Sequence, residues 1–146
     1  MAKNITSANS VFTLIIPGIY PIPVQLQGWA PDDAFDVEAV ETAVVTMGVD
    51  GFQSAGWVPN STPMTLHFQA DSPSIAIFET WDATETSQRE KYPASGLITT
   101  PSVKKSWVLS TGILQNVIRI PPGRRTLQPQ QFRLMWETIL LQPLVT

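Results

Sequence analysis

The side chains able to do chemistry are few and poorly placed for it. His67 is the only imidazole in 146 residues. It alternates with Thr65 and Gln69 in a period of two, which puts it on the wet face of a strand and away from any nucleophile it could deprotonate. Asp32 and Asp33 come closest to a carboxylate pair. Adjacent residues in a turn after Pro31 point apart, however, and aspartate there is ordinary turn chemistry. Gly48-Val49-Asp50-Gly51 is too short for a calcium loop or a dinucleotide turn, and the chain has no Gly-x-Ser-x-Gly, no Gly-rich phosphate loop and no metal-spaced His/Asp/Glu cluster. The absence of cysteine excludes thiol chemistry and disulfides, fits a reducing place of assembly, and with a single histidine leaves little for zinc or copper. No catalytic residue, metal or cofactor is therefore expected, and no enzyme. The five tryptophans, Trp29, Trp57, Trp81, Trp107 and Trp136, read as core and interface anchors more readily than as base-stacking platforms.

The elements that would position these residues are mostly strands. Met64, Leu66, Phe68 and Ala70 alternate with polar neighbours, as in a half-buried strand. Asp71-Ser72-Pro73-Ser74 then predicts a helix start, with Ser72 as cap and Pro73 at the first helical position. The helix is expected over about 73–91. Ile75, Phe78 and Trp81 form its packing stripe with Ile77 beside them, Glu79, Asp82, Glu85 and Gln88 face water, and Arg89 and Lys91 stand in the last turn. It is expected to be the only regular helix.

Residues 11–16 are apolar on both faces apart from Thr13, so cover on both sides is expected. Three prolines make 17–23 a rigid loop. Residues 24–27 form a short strand, residues 30–33 a turn, and residues 35–41 a strand with Asp36, Glu38 and Glu41 as a carboxylate row. That row is either the wet side of a sheet or the wall of a channel that repels polyanions. Asp50-Gly51 between two β-prone runs predicts a long hairpin projecting from the body. Val49, Phe52 and Trp57 on it either form a partner surface or fold back on their own domain. Gly96 and Gly112 read as breaks, with strands over 103–111 and 113–120. The last strand, 131–141, carries Phe132, Leu134 and Trp136 on one face and turns apolar on both at Ile139-Leu140-Leu141, a border expected to be covered by a neighbouring chain.

The whole is expected to be one domain, 1–146, with 1–10 as a flexible arm, and to bury roughly 68–70% of its extended surface on folding. No run suits export or a membrane span, so a soluble protein that stays where it is made is expected. Residues 1–88 carry one base and ten acids, and residues 89–146 eight bases and two acids. This division either averages over one surface or gives the molecule a negative and a positive end suited to head-to-tail stacking. Nucleic-acid binding is disfavoured by the scatter of the bases.

Four stretches together resemble the tail tube proteins of contractile-tailed bacteriophages and the tube-like rings of their baseplates. They are Asp32-Asp33-Ala34-Phe35-Asp36-Val37-Glu38, Met47-Gly48-Val49-Asp50-Gly51, Ala70-Asp71-Ser72-Pro73-Ser74, and Leu127-Gln128-Pro129-Gln130-Gln131-Phe132 ahead of Trp136-Glu137. The likeness spans about residues 10–141. It implies a mainly β fold, an antiparallel sandwich or half-barrel with one flanking helix. It further implies six copies in a ring, with strands joining around a DNA channel and rings stacked into a tube. Val49, Asp50, Gly51, Phe52 and Trp57 would then form the inter-ring or subunit interface, Asp36, Glu38 and Glu41 would help line the lumen, and Trp136, Ile139, Leu140 and Leu141 would lie on an inter-subunit strand. Partners would be further copies of the chain, sheath and baseplate proteins, and DNA only as passing cargo, in the tail of a virion assembled in the host bacterial cytoplasm. The 17–23 loop departs from the pattern and leaves open a repeating tube subunit or a specialised baseplate ring that initiates the tube. The competing classes are a β-sandwich ligand-binding module stacking its ligand on Trp29 and Tyr20, and a sheath or capsid accessory.

Overall fold

A computed structural model describes residues 10–30 and 35–143 of the chain. The turn expected at Pro31-Asp32-Asp33 and nearly all of the expected arm lie outside those residues. The strands are β1 (Val11–Ile16), β2 (Tyr20–Gln25), β3 (Phe35–Val37), β4 (Ala43–Met47), β5 (Gln53–Trp57), β6 (Thr62–Phe68), β7 (Ala94–Thr100), β8 (Lys105–Val117) and β9 (Gln130–Pro143), with one helix, α1 (Ile75–Gln88), between β6 and β7. Seven strands make one antiparallel sheet in the order β2-β1-β7-β8-β9-β6-β3, while β4 and β5 pair only with each other.

The sheet curls because every second residue along it is large and apolar. Phe12, Leu14 and Ile16 of β1, Met64, Leu66 and Phe68 of β6, and Phe132, Leu134 and Trp136 of β9 are all buried on its inner face. The curl brings β1 and β3 together although they stand second and last in the sheet. The rings of Phe12 and Phe35 lie 6.1 Å apart, and Trp29 stands 6.0 Å from Phe12 while stacking on Phe68 at 4.6 Å. No ladder joins β1 to β3, so the result is a half-barrel and not a closed one. The mainly β architecture with one flanking helix and a projecting hairpin is the one expected.

α1 closes one end of the half-barrel. Phe78 stacks on Phe132 at 4.6 Å and meets Phe68 at 5.4 Å, and the Trp81 indole N–H donates to the Tyr92 carbonyl at 3.0 Å. Ile75, Phe78 and Trp81 are buried as expected, but the helix is shorter than 73–91. Its start is displaced because the hydroxyls before it serve another segment. Ser72 Oγ donates to the Gln27 carbonyl, and the Gln27 amide donates to Ser74 Oγ at 2.6 Å. Ser72 still accepts an amide, that of Ser74, but Pro73 lies in the preceding turn. A Cβ at Gly28 would meet Ser72 Oγ at 2.4 Å, so only glycine allows this approach. At the other end Arg89 is the left-handed cap and Lys91 lies beyond it, so neither stands in the last turn.

Several further expectations are corrected. Residues 20–25 are a strand, not a loop: β2 is an edge strand, where the missing N–H groups of Pro21 and Pro23 leave no central ladder incomplete. β1 is fully buried on its inner face only; on the other Val11 is exposed and Ile15 half-buried. β3 ends at Val37 instead of running to residue 41. Gly96 and Gly112 lie inside strands, because both face Trp136. A Cβ at Gly112 would fall 2.4 Å from its six-membered ring and one at Gly96 3.3 Å from it. β8 therefore passes through Gly112 without turning, and Pro101–Val103 forms a 3-10 turn ahead of it.

The division of charge along the sequence is partly cancelled by folding. Three ion pairs each join an acid of residues 1–88 to a base of residues 89–146: Glu85 with Lys91 at 3.1 Å, Asp82 with Arg119 at 2.8 Å, and Glu38 with Arg133 at 2.9 Å. The hydrogen bond from Arg119 to Asp82, and then the charge of that carboxylate, raise the Arg119 pKa further above its ordinary value. Glu85 does not face water as expected. It is 7% exposed and accepts from Lys91 Nζ at 3.1 Å and from the Tyr92 amide at 2.9 Å. Glu85→Ala should cost about 1–3 kcal/mol in urea unfolding by stranding the Tyr92 N–H. Glu85→Gln, which can still accept that bond, should cost clearly less, and equal losses would show that the contact is incidental.

Candidate assembly interface

The β4–β5 ribbon is built from local rules. Met47 pairs with Gln53 at its outer end and Ala43 with Trp57 at its base. The Gly48 amide donates to the Phe52 carbonyl at 2.8 Å, Gly51 donates back to Gly48 at 3.0 Å with φ at +89°, and the Phe52 amide donates to Asp50 Oδ1 at 3.2 Å. Asp50 and Gly51 thus shape the turn, as Asp-Gly hairpins require. At the base, Val58 donates to the Thr42 carbonyl at 2.9 Å and Asn60 Nδ2 to the Glu41 carbonyl at 2.7 Å.

Among the described residues, the ribbon is covered only at its base, where Ala43 and Val58 are half-buried. Val49 is fully exposed, Phe52 is 76% and Trp57 79% exposed, and Val44, Val45 and Met47 also face solvent. In residues 42–60 the sole charged side chain is Asp50. An apolar surface of this kind is the mark of a partner contact. The expectation that these side chains fold back on their own domain is not met.

A second incomplete surface runs along β9. Its residues 130–136 pair with β6 on one side and β8 on the other, whereas residues 138–143 pair with β8 alone. Among the described residues nothing pairs with the other edge of this half, which presents a row of open backbone groups, the template on which another strand adds. Leu140 and Leu141 are exposed here and Ile139 is half-buried. Trp136 is corrected: it is fully buried within the chain and belongs to the core, not to an inter-subunit surface.

The third feature is the open end of the half-barrel, opposite α1. A cavity of about 290 Å³ there is lined by Phe35, Val37, Met64, Ile98, Trp107, Leu109 and Ile139, with no charged residue among them. The sequence marks Met64, Trp107 and Ile139 singly but not their convergence, because only the curl of the sheet brings these positions to one rim. Of the expected acids, Asp36, Glu38 and Glu41 are exposed, but Glu38 is held by Arg133 and its carboxylate is not free. Trp29 and Tyr20, the stacking pair of the ligand-binding alternative, are half-buried against the core, Trp29 on Phe68.

This fold is that of structural proteins of contractile injection systems. It is similar to a chain of the anti-feeding prophage baseplate in a 6-fold symmetrised structure, with TM-score 0.63 and 13% identity over 100% of both chains. It is also similar to a chain of the tube-terminating cap of that prophage, with TM-score 0.64 and 14% identity over 98% of this chain and 93% of the other. A chain of the sheath/tube terminator of the PVC extracellular contractile injection system, in its extended state, gives TM-score 0.61 and 13% identity over 97% and 99%. No curated protein sequence matches the chain. The family model for tail fiber protein gp32 matches residues 3–140, and the chain belongs to that family. It is thus a tail-associated structural protein.

Proposed function

We propose that the protein is a ring-forming subunit of a phage tail tube, with copies, six by the resemblance, closing around a channel through which DNA passes. The observation that carries this reading is the pair of surfaces left incomplete among the described residues: a ribbon whose one charge is Asp50, with Phe52 and Trp57 in solvent, and the open edge of β9 over residues 138–143. Each is costly for a monomer and is satisfied by another copy. The subunit works by shape and has no catalytic step. Sheath and baseplate proteins are its further partners, DNA is cargo without a specific site, and the exposed Asp36 and Glu41 suit a wall that DNA does not adhere to. Assembly takes place in the host bacterial cytoplasm and the product belongs to the virion tail.

A second reading, a single specialised ring at one end of the tube, draws support from the likeness to baseplate and tube-cap chains. Size exclusion with light scattering, followed by negative-stain imaging, tests both. Rings with a central hole are expected at high protein concentration. Rings that elongate into tubes fit the repeating subunit, and rings that stop at one layer fit the specialised one. A clean monomer at millimolar concentration would overturn the proposal.

A further inference from the structure

The ribbon and the open cavity sit at the same end of the half-barrel. β3 runs toward this end, where Val37 pairs with Met64 and both line the cavity. The Glu38 amide then donates to the Pro63 carbonyl at 3.1 Å, and the chain leaves the sheet to form β4 and β5 before re-entering at Thr62. α1 occupies the opposite end, over Phe68 and Phe132. Copies stacked head to tail would put the ribbon of one against the helix-closed end of the next. Copies side by side in one ring bring ribbon and cavity to the same level.

The chemistry of the two surfaces argues for a second copy as the occupant. The cavity lining is wholly apolar, and the ribbon carries no charge apart from Asp50. A charged partner such as nucleic acid finds no counter-charge on either surface. The size also fits. A cavity of about 150 Å³ admits benzene, and this one is about 290 Å³, room for the Phe52 ring with a smaller side chain beside it. Phe52 stands at the turn with its ring in solvent. The unpaired edge of β9 begins next to Ile139, a lining residue, so a ribbon entering the cavity also comes within reach of that edge.

We infer that Phe52 of one copy inserts into the cavity bounded by Val37, Trp107 and Ile139 of its neighbour in the same ring, a heterologous contact that closes by rotation. The inference rests on the ring reading above and names the surface that receives the ribbon. The chain has no cysteine, which allows a direct test. Full-length Phe52→Cys and Val37→Cys variants are purified separately, mixed under assembling conditions and oxidised. A disulfide-linked dimer is expected from the mixture and from neither variant alone. Because each chain carries one cysteine, such a link must be between copies. Ile139→Cys in place of Val37→Cys repeats the test should the first variant fold poorly. Large assemblies without the mixed link, or equal linking by a single variant, would overturn this inference and leave the ring reading standing. Failure of the unmodified chain to assemble would overturn both.

Discussion

Trp136→Ala is expected to destabilise the folded chain by about 3–5 kcal/mol, the range for deleting a buried tryptophan. The indole is fully buried and spans two glycines, Gly112 directly across the ladder on β8 and Gly96 on β7. A large ring over a bare backbone position fills space that would otherwise be void, so losing the ring opens a cavity that neither glycine can fill. The converse change, Gly112→Ala, places a Cβ 2.4 Å from the ring and should cost about 1–3 kcal/mol by overpacking. The two costs should not add. Once Trp136 is alanine, the new Cβ at position 112 meets empty space, and urea unfolding of the four variants in a cycle should show a coupling of about 0.5–3 kcal/mol. Simple additivity would mean that the ring does not rest on Gly112. Trp136 Nε1 has no hydrogen-bond partner among the described residues. Trp136→Phe therefore sacrifices no bond and should be much milder than alanine.

The second large effect concerns assembly. Phe52→Ala and Trp57→Ala should each weaken self-association by about 2 kcal/mol, roughly a 30-fold change in the assembly constant. Both side chains are mainly in solvent in the single chain, at 76% and 79% exposure, so the unfolding midpoint of the unassembled protein should move by no more than about 0.5 kcal/mol. Concentration-dependent light scattering and urea unfolding, run on the same samples, separate the two quantities. Equal losses in both would mean that the rings pack on their own domain.

The outcome at Glu85 shows how a correct period can be overruled by residue type. Phe78, Trp81 and Glu85 are successive positions of one helical stripe, and the spacing alone places Glu85 toward the body. Its charge argued for water. The fold buries it because Lys91 and the Tyr92 amide, beyond the helix end, supply what water would have supplied. β2 escapes a local reading for a related reason. Proline excludes a residue from a central strand but not from the free side of an edge, and edge position is not written in local sequence. Gly96 and Gly112 read locally as breaks, because the tryptophan that needs the space above them, Trp136, comes from a third strand.

By itself the sequence determined everything that depends on neighbours along the chain. Period-two alternation specified the inner face of β6 and β9, the Asp50-Gly51 pair specified the hairpin, the Ile75-Phe78-Trp81 stripe specified the packing face of the only helix among the described residues, and the want of nucleophile, base and metal ligands left assembly as the leading expectation. The tertiary structure decided what depends on distance across the fold. The curl that sets Phe12 against Phe35, the cavity at the open end, the bare half of β9, the cancellation of charge by Glu38, Asp82 and Glu85, and the removal of Trp136 from the surface all follow from strand order. Strand order is set by which apolar faces bury one another most completely, a property of the whole chain that no stretch of it carries alone.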